Sequence, residues 1–394
     1  MKRFPIAQFS VALAAMVTLG LAIGCSVTPK PPAEAMAQPQ VAPPADELPV
    51  LPEPDPAPRF AAAGDRQINL FGELPNRADV PYFTRTASSL LQHTFAEEGA
   101  DFDPCISPDG KWMVFASTRH NVAPDLYYKQ IDGIAVTQLT SDPASDIQPV
   151  FSPDGKRVAF ASDRSGNWDI WVVSLDGTQP VQITATASDE IHPSWSPDSA
   201  RLTYCSLPTQ GQWELWVADA TTGGGKKRFI GYGLFPTWSP NSDTILYQRA
   251  RERGSHWFSV WTIQLVDGEP RYPTEVAAAA DAALITPSWS RDGKQIAYAA
   301  VTPSGDGSSL GASPQTADIW VVDIDGRNRV RLTDGHTANF GPAWSPNKRV
   351  FFTSGREGHE TIWSLLPEVG PGQEPTMTAS GNDAPPPART ASDQ

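Results

Sequence analysis

Three groups of residues have types and spacings that could do chemistry. Gly307-Ser308-Ser309-Leu310-Gly311 fits G-x-S-x-G, the pattern of a serine nucleophile on a sharp strand-to-helix turn. It sits inside a Gly/Ser-rich stretch, TPSGDGSSLGASPQTAD, without the strand-then-helix context that an elbow needs, so it reads as a loop insertion. A second group is acidic: Asp101, Asp103, Asp146 and Glu190, with His192 close behind. Carboxylates converging on one mouth would attract Ca²⁺ or basic groups, and a histidine among them could hold a catalytic metal. The competing reading is that each acid caps backbone N–H groups of its own turn. The chain has no C-x-x-C, H-x-H or H-E-x-x-H. The third group is Arg119 and Arg164, in the short phrases STR and SDR.

What must position these residues is a repeat. The phrase acid-x-x-Pro-x-aromatic-Ser-Pro-Asp-Gly-Lys recurs as DFDPCISPDGK, DIQPVFSPDGK, EIHPSWSPDSA, GLFPTWSPNSD, LITPSWSRDGK and NFGPAWSPNKR. Its prolines, Pro104, Pro149, Pro193, Pro236, Pro287 and Pro342, recur 43 to 55 residues apart, close to the period of a propeller blade. Within a period, β-rich runs alternate with Asp-Gly turns. In the second repeat these are QPVFS, RVAFAS, WDIWVVSL and VQIT, and the pattern predicts four strands per blade. Nine of the 13 tryptophans fall on two repeat positions: Trp195, Trp238, Trp289 and Trp344 before a serine, and Trp171, Trp216, Trp261, Trp320 and Trp363 in third strands. Rings at such positions fill the space between blades. The expected fold is all-β, a six-bladed propeller. The sixth repeat lacks an outer strand, and LLQHT at 90–94 matches the missing piece, so the N-terminal strand is expected to close the last blade. Cys105 and Cys205 fall in blades that do not adjoin and are expected to be free thiols.

With 44 acidic against 30 basic residues and a net charge of -14, the chain lacks the basic surface of a nucleic-acid binder. Residues 1–24 read as a signal peptide, Lys2-Arg3 preceding an apolar stretch that is short for a membrane span. Leu21-Ala22-Ile23-Gly24-Cys25 is similar to a bacterial lipobox, which implies lipidation of Cys25. The segment 25–64 is a Pro-rich tether, 65–87 a pre-propeller segment, 88–367 the propeller and 368–394 a disordered tail.

The six repeats resemble those of TolB-type, WD-like propellers of the bacterial envelope over about residues 90–366. The folded domain that precedes the TolB propeller is expected to have no counterpart in the Pro-rich segment here. Taken together with the lipobox, the resemblance implies a lipid-anchored, non-enzymatic module that binds an envelope protein or cell-wall-associated partner, in a Tol–Pal-like role in envelope integrity or transport. It touches the membrane through the lipid alone, at the periplasmic side of an outer membrane. No cofactor is expected beyond Ca²⁺ at the channel mouth. The rival reading is a propeller enzyme acting on envelope polysaccharide or peptide with metal assistance through His192. The candidate binding face comprises Asp101, Asp103, Asp146, Glu190, His192, Arg119 and Arg164, with the loop at 304–314 alongside. Charge reversal at Asp146 or Glu190 is expected to leave stability nearly unchanged.

Overall fold

A computed structural model describes residues 83–84, 90–96, 98–176, 178–208, 211–250, 258–279, 282–302 and 316–367. Cys25, the tether, the 304–314 loop and the tail at 368–394 lie outside the described residues. The described chain folds as six small antiparallel sheets. Their inner strands are Asp101–Ile106, Asp146–Phe151, Asp189–Trp195, Leu234–Trp238, Ala283–Trp289 and Asn339–Trp344. Each inner strand packs on the next, and the sixth returns to the first, so the sheets surround one axis as a six-bladed propeller.

Blade 1 shows the common plan, with Trp112–Ser117, Asp125–Gln130 and Val136–Gln138 following the inner strand outward. Alternation puts one side chain of each pair on the blade surface, where it packs against the neighbouring blade. The tryptophans of inner strands do this: Trp195 and Trp289 are buried, and their Nε1–H groups donate to Val150 O (3.1 Å) and Thr237 O (3.0 Å) of the preceding blade. Large aromatic area is thus buried between blades without leaving these two indole donors unpaired.

The Ser-Pro-Asp-Gly phrase forms the turn from the inner to the second strand. In blade 1, Ser107 Oγ donates to Asp109 Oδ1 (2.6 Å), and Asp109 Oδ1 accepts from Lys111 N (3.0 Å). Gly110 takes φ 73°, a left-handed conformation that costs glycine little. Blades 3 and 6 place Ser199 and Lys348 in the same conformation, at φ 57° and 64°.

Closure of the ring follows the expectation. Leu91–Gln92 pairs antiparallel with Thr361–Leu365 as the outer strand of blade 6. Beyond it, His93 N donates to Ile362 O (2.8 Å), Ile362 N donates to Thr94 Oγ1 (3.0 Å), and His93 Nε2 lies 2.7 Å from Ser364 Oγ. Lys129 Nζ of blade 1 donates to His93 O (2.5 Å), so the closing segment grips both sides of the seam. One pairing was not expected: Phe83–Thr84 runs parallel to Val330–Arg331 and adds a fifth strand to blade 5.

Candidate functional site

The axis is lined by a feature built six times from the residue preceding each repeat proline. Asp103, Gln148, His192, Phe235, Thr286 and Gly341 all have positive φ, between 49° and 58°. Each lies where the register between inner and second strand slips. These are β-bulges, and the following proline disfavours the right-handed helical alternative at that residue. Five of the six are not glycine, so the ring stores local backbone strain.

Side chains of this ring fasten one blade to the next. The Asp103 carboxylate accepts from the Gln148 N–H, and Gln148 Oε1 accepts from His192 N (2.9 Å). The His192 and Phe235 rings lie 3.7 Å apart between centroids, tilted by 40°. His192 is buried with Nδ1 3.2 Å from Cys205 Sγ, and burial drives its pKa down to about 3. Burial raises Asp103 to about 6; burial, with the Asp103 charge beside it, raises Glu360 to about 7. This pair of carboxyls sits at the seam between blades 6 and 1, where Asp101 N donates to Glu360 O (2.9 Å).

The expected ring of mouth carboxylates does not assemble. Asp101 is 0 % exposed, accepts from Arg119 Nη2 on both oxygens (2.8 and 2.9 Å) and from Ser117 Oγ (2.6 Å). Asp146 repeats this with Arg164 Nη2, 2.9 Å from each oxygen, and Arg164 also reaches Asp142 (2.7 Å). The two arginines close these carboxylates off from a cation, while Asp103 belongs to the axial ring instead. Among the described residues no group of three or more His, Cys, Asp or Glu is placed to hold a metal ion. Asp146 is thereby a structural charge, and its reversal would leave two positive groups facing each other in a buried site, contrary to the expectation of unchanged stability.

Glu190 differs from its counterparts. It is 1 % exposed and accepts from Thr186 Oγ1 and from Ser206 Oγ (3.1 Å), with no arginine in contact among the described residues. Burial raises its pKa, and the Asp169 carboxyl of blade 2 adds to the rise.

A second sixfold feature lies further out, joining the third-strand position where tryptophan recurs to an aromatic residue that follows each repeat proline by ten or eleven residues. The second and third strands of every blade place two aromatic residues opposite each other: Phe115/Tyr127, Phe160/Trp171, Tyr204/Trp216, Tyr247/Trp261, Tyr298/Trp320 and Phe352/Trp363. Arg119 and Arg164 stand over the first two pairs, with Cζ 5.2 Å from the Tyr127 centroid and 4.9 Å from that of Trp171. The clamps on Asp101 and Asp146 therefore join an ion pair to a cation–π contact.

Residues 76–273 match the TolB beta propeller domain family, and blades 5 and 6 repeat the same plan beyond the match. An uncharacterized protein of Agrobacterium fabrum is 34% identical over 101 residues, which is 25% of this chain and 31% of that relative's length. Among solved structures, a TolB-type protein from Agrobacterium tumefaciens aligns over 69% of this chain and 91% of its own, with 21% identity and a TM-score of 0.51. TolB from Acinetobacter baumannii aligns over 63% of this chain and 57% of its own, with 21% identity and a TM-score of 0.50. These structural likenesses concern the fold. Blade count, repeat phrase and family match agree: the chain belongs to the TolB beta propeller domain family.

Proposed function

We propose that this protein is a non-catalytic binding module of the bacterial cell envelope. A lipid on Cys25 and the Pro-rich tether hold it to the outer membrane on the periplasmic side. Its propeller docks an envelope protein or cell-wall-associated partner, in a Tol–Pal-like role in envelope integrity or transport.

The observation that carries this reading is the contrast between the two ends of the propeller. At one end the turns repeat a single design: Ser107–Asp109, Ser152–Asp154, Ser196–Asp198, Ser290–Asp292 and Ser345–Asn347 are each joined by a serine Oγ–H donated to the acid or amide. At the other end the connections between second and third strands differ from blade to blade. Two are pinned by the Asp101–Arg119 and Asp146–Arg164 clamps, blade 3 has Pro208, and blade 5 carries the 304–314 insertion. Varied loops held on a rigid scaffold are the usual means of recognition.

The test is crosslinking and pull-down of tagged full-length protein from native envelopes. Shortening the loop at 304–314 should weaken partner capture, while Asp176→Lys and Asp325→Lys at the far end should not. The opposite pattern contradicts the choice of face. Cys25→Ser should release the protein from membranes, and membrane partitioning equal to the wild type would contradict the anchor. Turnover of envelope polysaccharide or peptide by the purified protein, abolished by His192→Ala or by chelation, would overturn the non-catalytic reading.

A further inference from the structure

We propose that the loop-face corner of blade 3, where Glu190 and Ser206 meet the Tyr204/Trp216 aromatic pair, is a receptor for an arginine side chain of a basic partner segment. The inference rests on the loop face being the docking face. It adds which blade is used and which chemical group it takes.

The other five blades supply the comparison. Each has a guanidinium over its aromatic pair: Arg119, Arg164, Arg249, Arg329 and Arg356, with Cζ 4.7 to 5.3 Å from the nearer ring. In blades 1, 2 and 6 the same arginine also bonds the serine that ends the second strand and the residue that begins the inner strand. These contacts are Arg119 with Ser117 and Asp101, Arg164 with Ser162 and Asp146, and Arg356 with Ser354 and Asn339.

Blade 3 keeps every receiving group. Tyr204 pairs with Trp216 as Phe115 does with Tyr127, Ser206 occupies the place of Ser117, and Glu190 that of Asp101. The residue two beyond the serine is Arg119 in blade 1 and Arg164 in blade 2, but Pro208 in blade 3. Among the described residues no guanidinium stands over Tyr204 or Trp216. Glu190 Oε2 is buried and accepts from no donor among the described residues, and its polar neighbour is the Asp169 carboxyl, within hydrogen-bond reach of Glu190, so two acidic groups meet here with no cation between them.

Aromatic faces beside a carboxylate and a hydroxyl suit a planar guanidinium better than a metal ion, which gains nothing from the rings. The entrance favours a peptide-borne group. Phe229 of the outer strand lies opposite Trp216 and is 40 % exposed, with Tyr232 beside it at 52 %, where blades 1, 2 and 6 have Gln138, Gln182 and Gln92. Trp216, Phe229 and Tyr232 contact one another edge to face at 5.7 and 5.2 Å, forming apolar surface beside the cradle for residues flanking the arginine. A chain of net charge -14 also favours a basic partner.

The experiment titrates N-acetyl-arginine amide, with the citrulline amide as its neutral match, into the ¹⁵N-labelled full-length protein. The readout is the Trp216 indole N–H resonance, assigned by Trp216→Phe. A saturable shift with the arginine amide alone, lost in Glu190→Gln and in Pro208→Arg, is expected. Pro208→Arg should fill the cradle from within, and Glu190→Gln keeps the shape if that variant fails to fold. No shift, or equal shifts with both amides, overturns the proposal. In pull-downs, Pro208→Arg should weaken partner capture by at least about tenfold, as expected for loss of a buried charge pair. Capture that is lost on shortening the 304–314 loop yet unaffected by Pro208→Arg contradicts the cradle and leaves the docking face standing.

Discussion

Arg164 Nη2 lies 2.9 Å from both carboxylate oxygens of Asp146, and the same guanidinium rests 4.9 Å from the centre of the Trp171 ring. One side chain thus neutralises a buried acid at the start of the inner strand and caps the aromatic pair of its blade. Removing it strands the carboxyl. Arg164→Ala should destabilise the propeller by about 3 kcal/mol, and Arg164→Lys should recover only part, because an ammonium lacks the planar fork and stacks less well. Denaturant unfolding measures both. A loss below about 0.5 kcal/mol in the alanine variant, the usual size for surface changes, would show that the clamp is dispensable.

Ring closure has a comparably sharp test. A variant lacking residues 1–58 keeps the closing strand Leu91–Gln92 and should melt like the full chain. Removing residues through Thr94 deletes that strand, the Thr94 Oγ1 acceptor for Ile362 N and the His93 carbonyl that receives Lys129 Nζ. It exposes an unpaired edge on Thr361–Leu365, which invites both unfolding and association. Thermal melts of the two truncations should differ by many degrees, and coincident curves would contradict closure by this segment.

The legible part of this fold was what repeats in sequence with a side chain of fixed type. The Pro, Ser-Pro-Asp-Gly and Trp positions are tied to turns and blade contacts that every copy needs, so their recurrence marked blade number, strand order and the borrowed outer strand. What depends on chain geometry was not legible. Asp101 and Arg119 stand apart in sequence, and only the hairpin between them brings the charges into one buried pair. Read singly they resembled surface groups for a partner. The left-handed bulge had a signal, since each of its six residues precedes a repeat proline, but Asp, Gln, His, Phe and Thr do not by type suggest positive φ. The pairing of Phe83–Thr84 with Val330–Arg331 rests on two residues of backbone, too short for a periodic pattern to show.

Stability should depend on pH through the axial carboxyls. Asp103 and Glu360, raised to about 6 and about 7 by burial, bind protons more tightly in the fold than in the unfolded chain, where such groups ionise near 4. Their contribution is therefore full below about pH 4 and is lost as pH rises through the folded values. His93 and His192, lowered to about 4 and about 3, act in the opposite sense below about pH 6.5. Between about pH 6.5 and 8.5 these carboxyls, joined by Glu190, which burial also raises, outweigh what is left of the histidine titration, and stability should fall by on the order of 1 kcal/mol. Denaturant midpoints across that range should show the fall in the wild type and a flatter profile in Glu360→Gln. A Glu360→Gln profile parallel to the wild type would remove Glu360 from the account.

The proposed docking puts the partner on the face with unlike loops and leaves the face with repeated turns free. Hydrogen exchange on the full-length protein, alone and with its captured partner, tests this most directly. Protection gained on binding should concentrate in residues 118–124, 163–168, 208–213 and 355–360, which connect second to third strands. Protection confined to the turns at 107–111, 152–156, 196–200 and 345–349, with those connections exchanging as in the free protein, would contradict it.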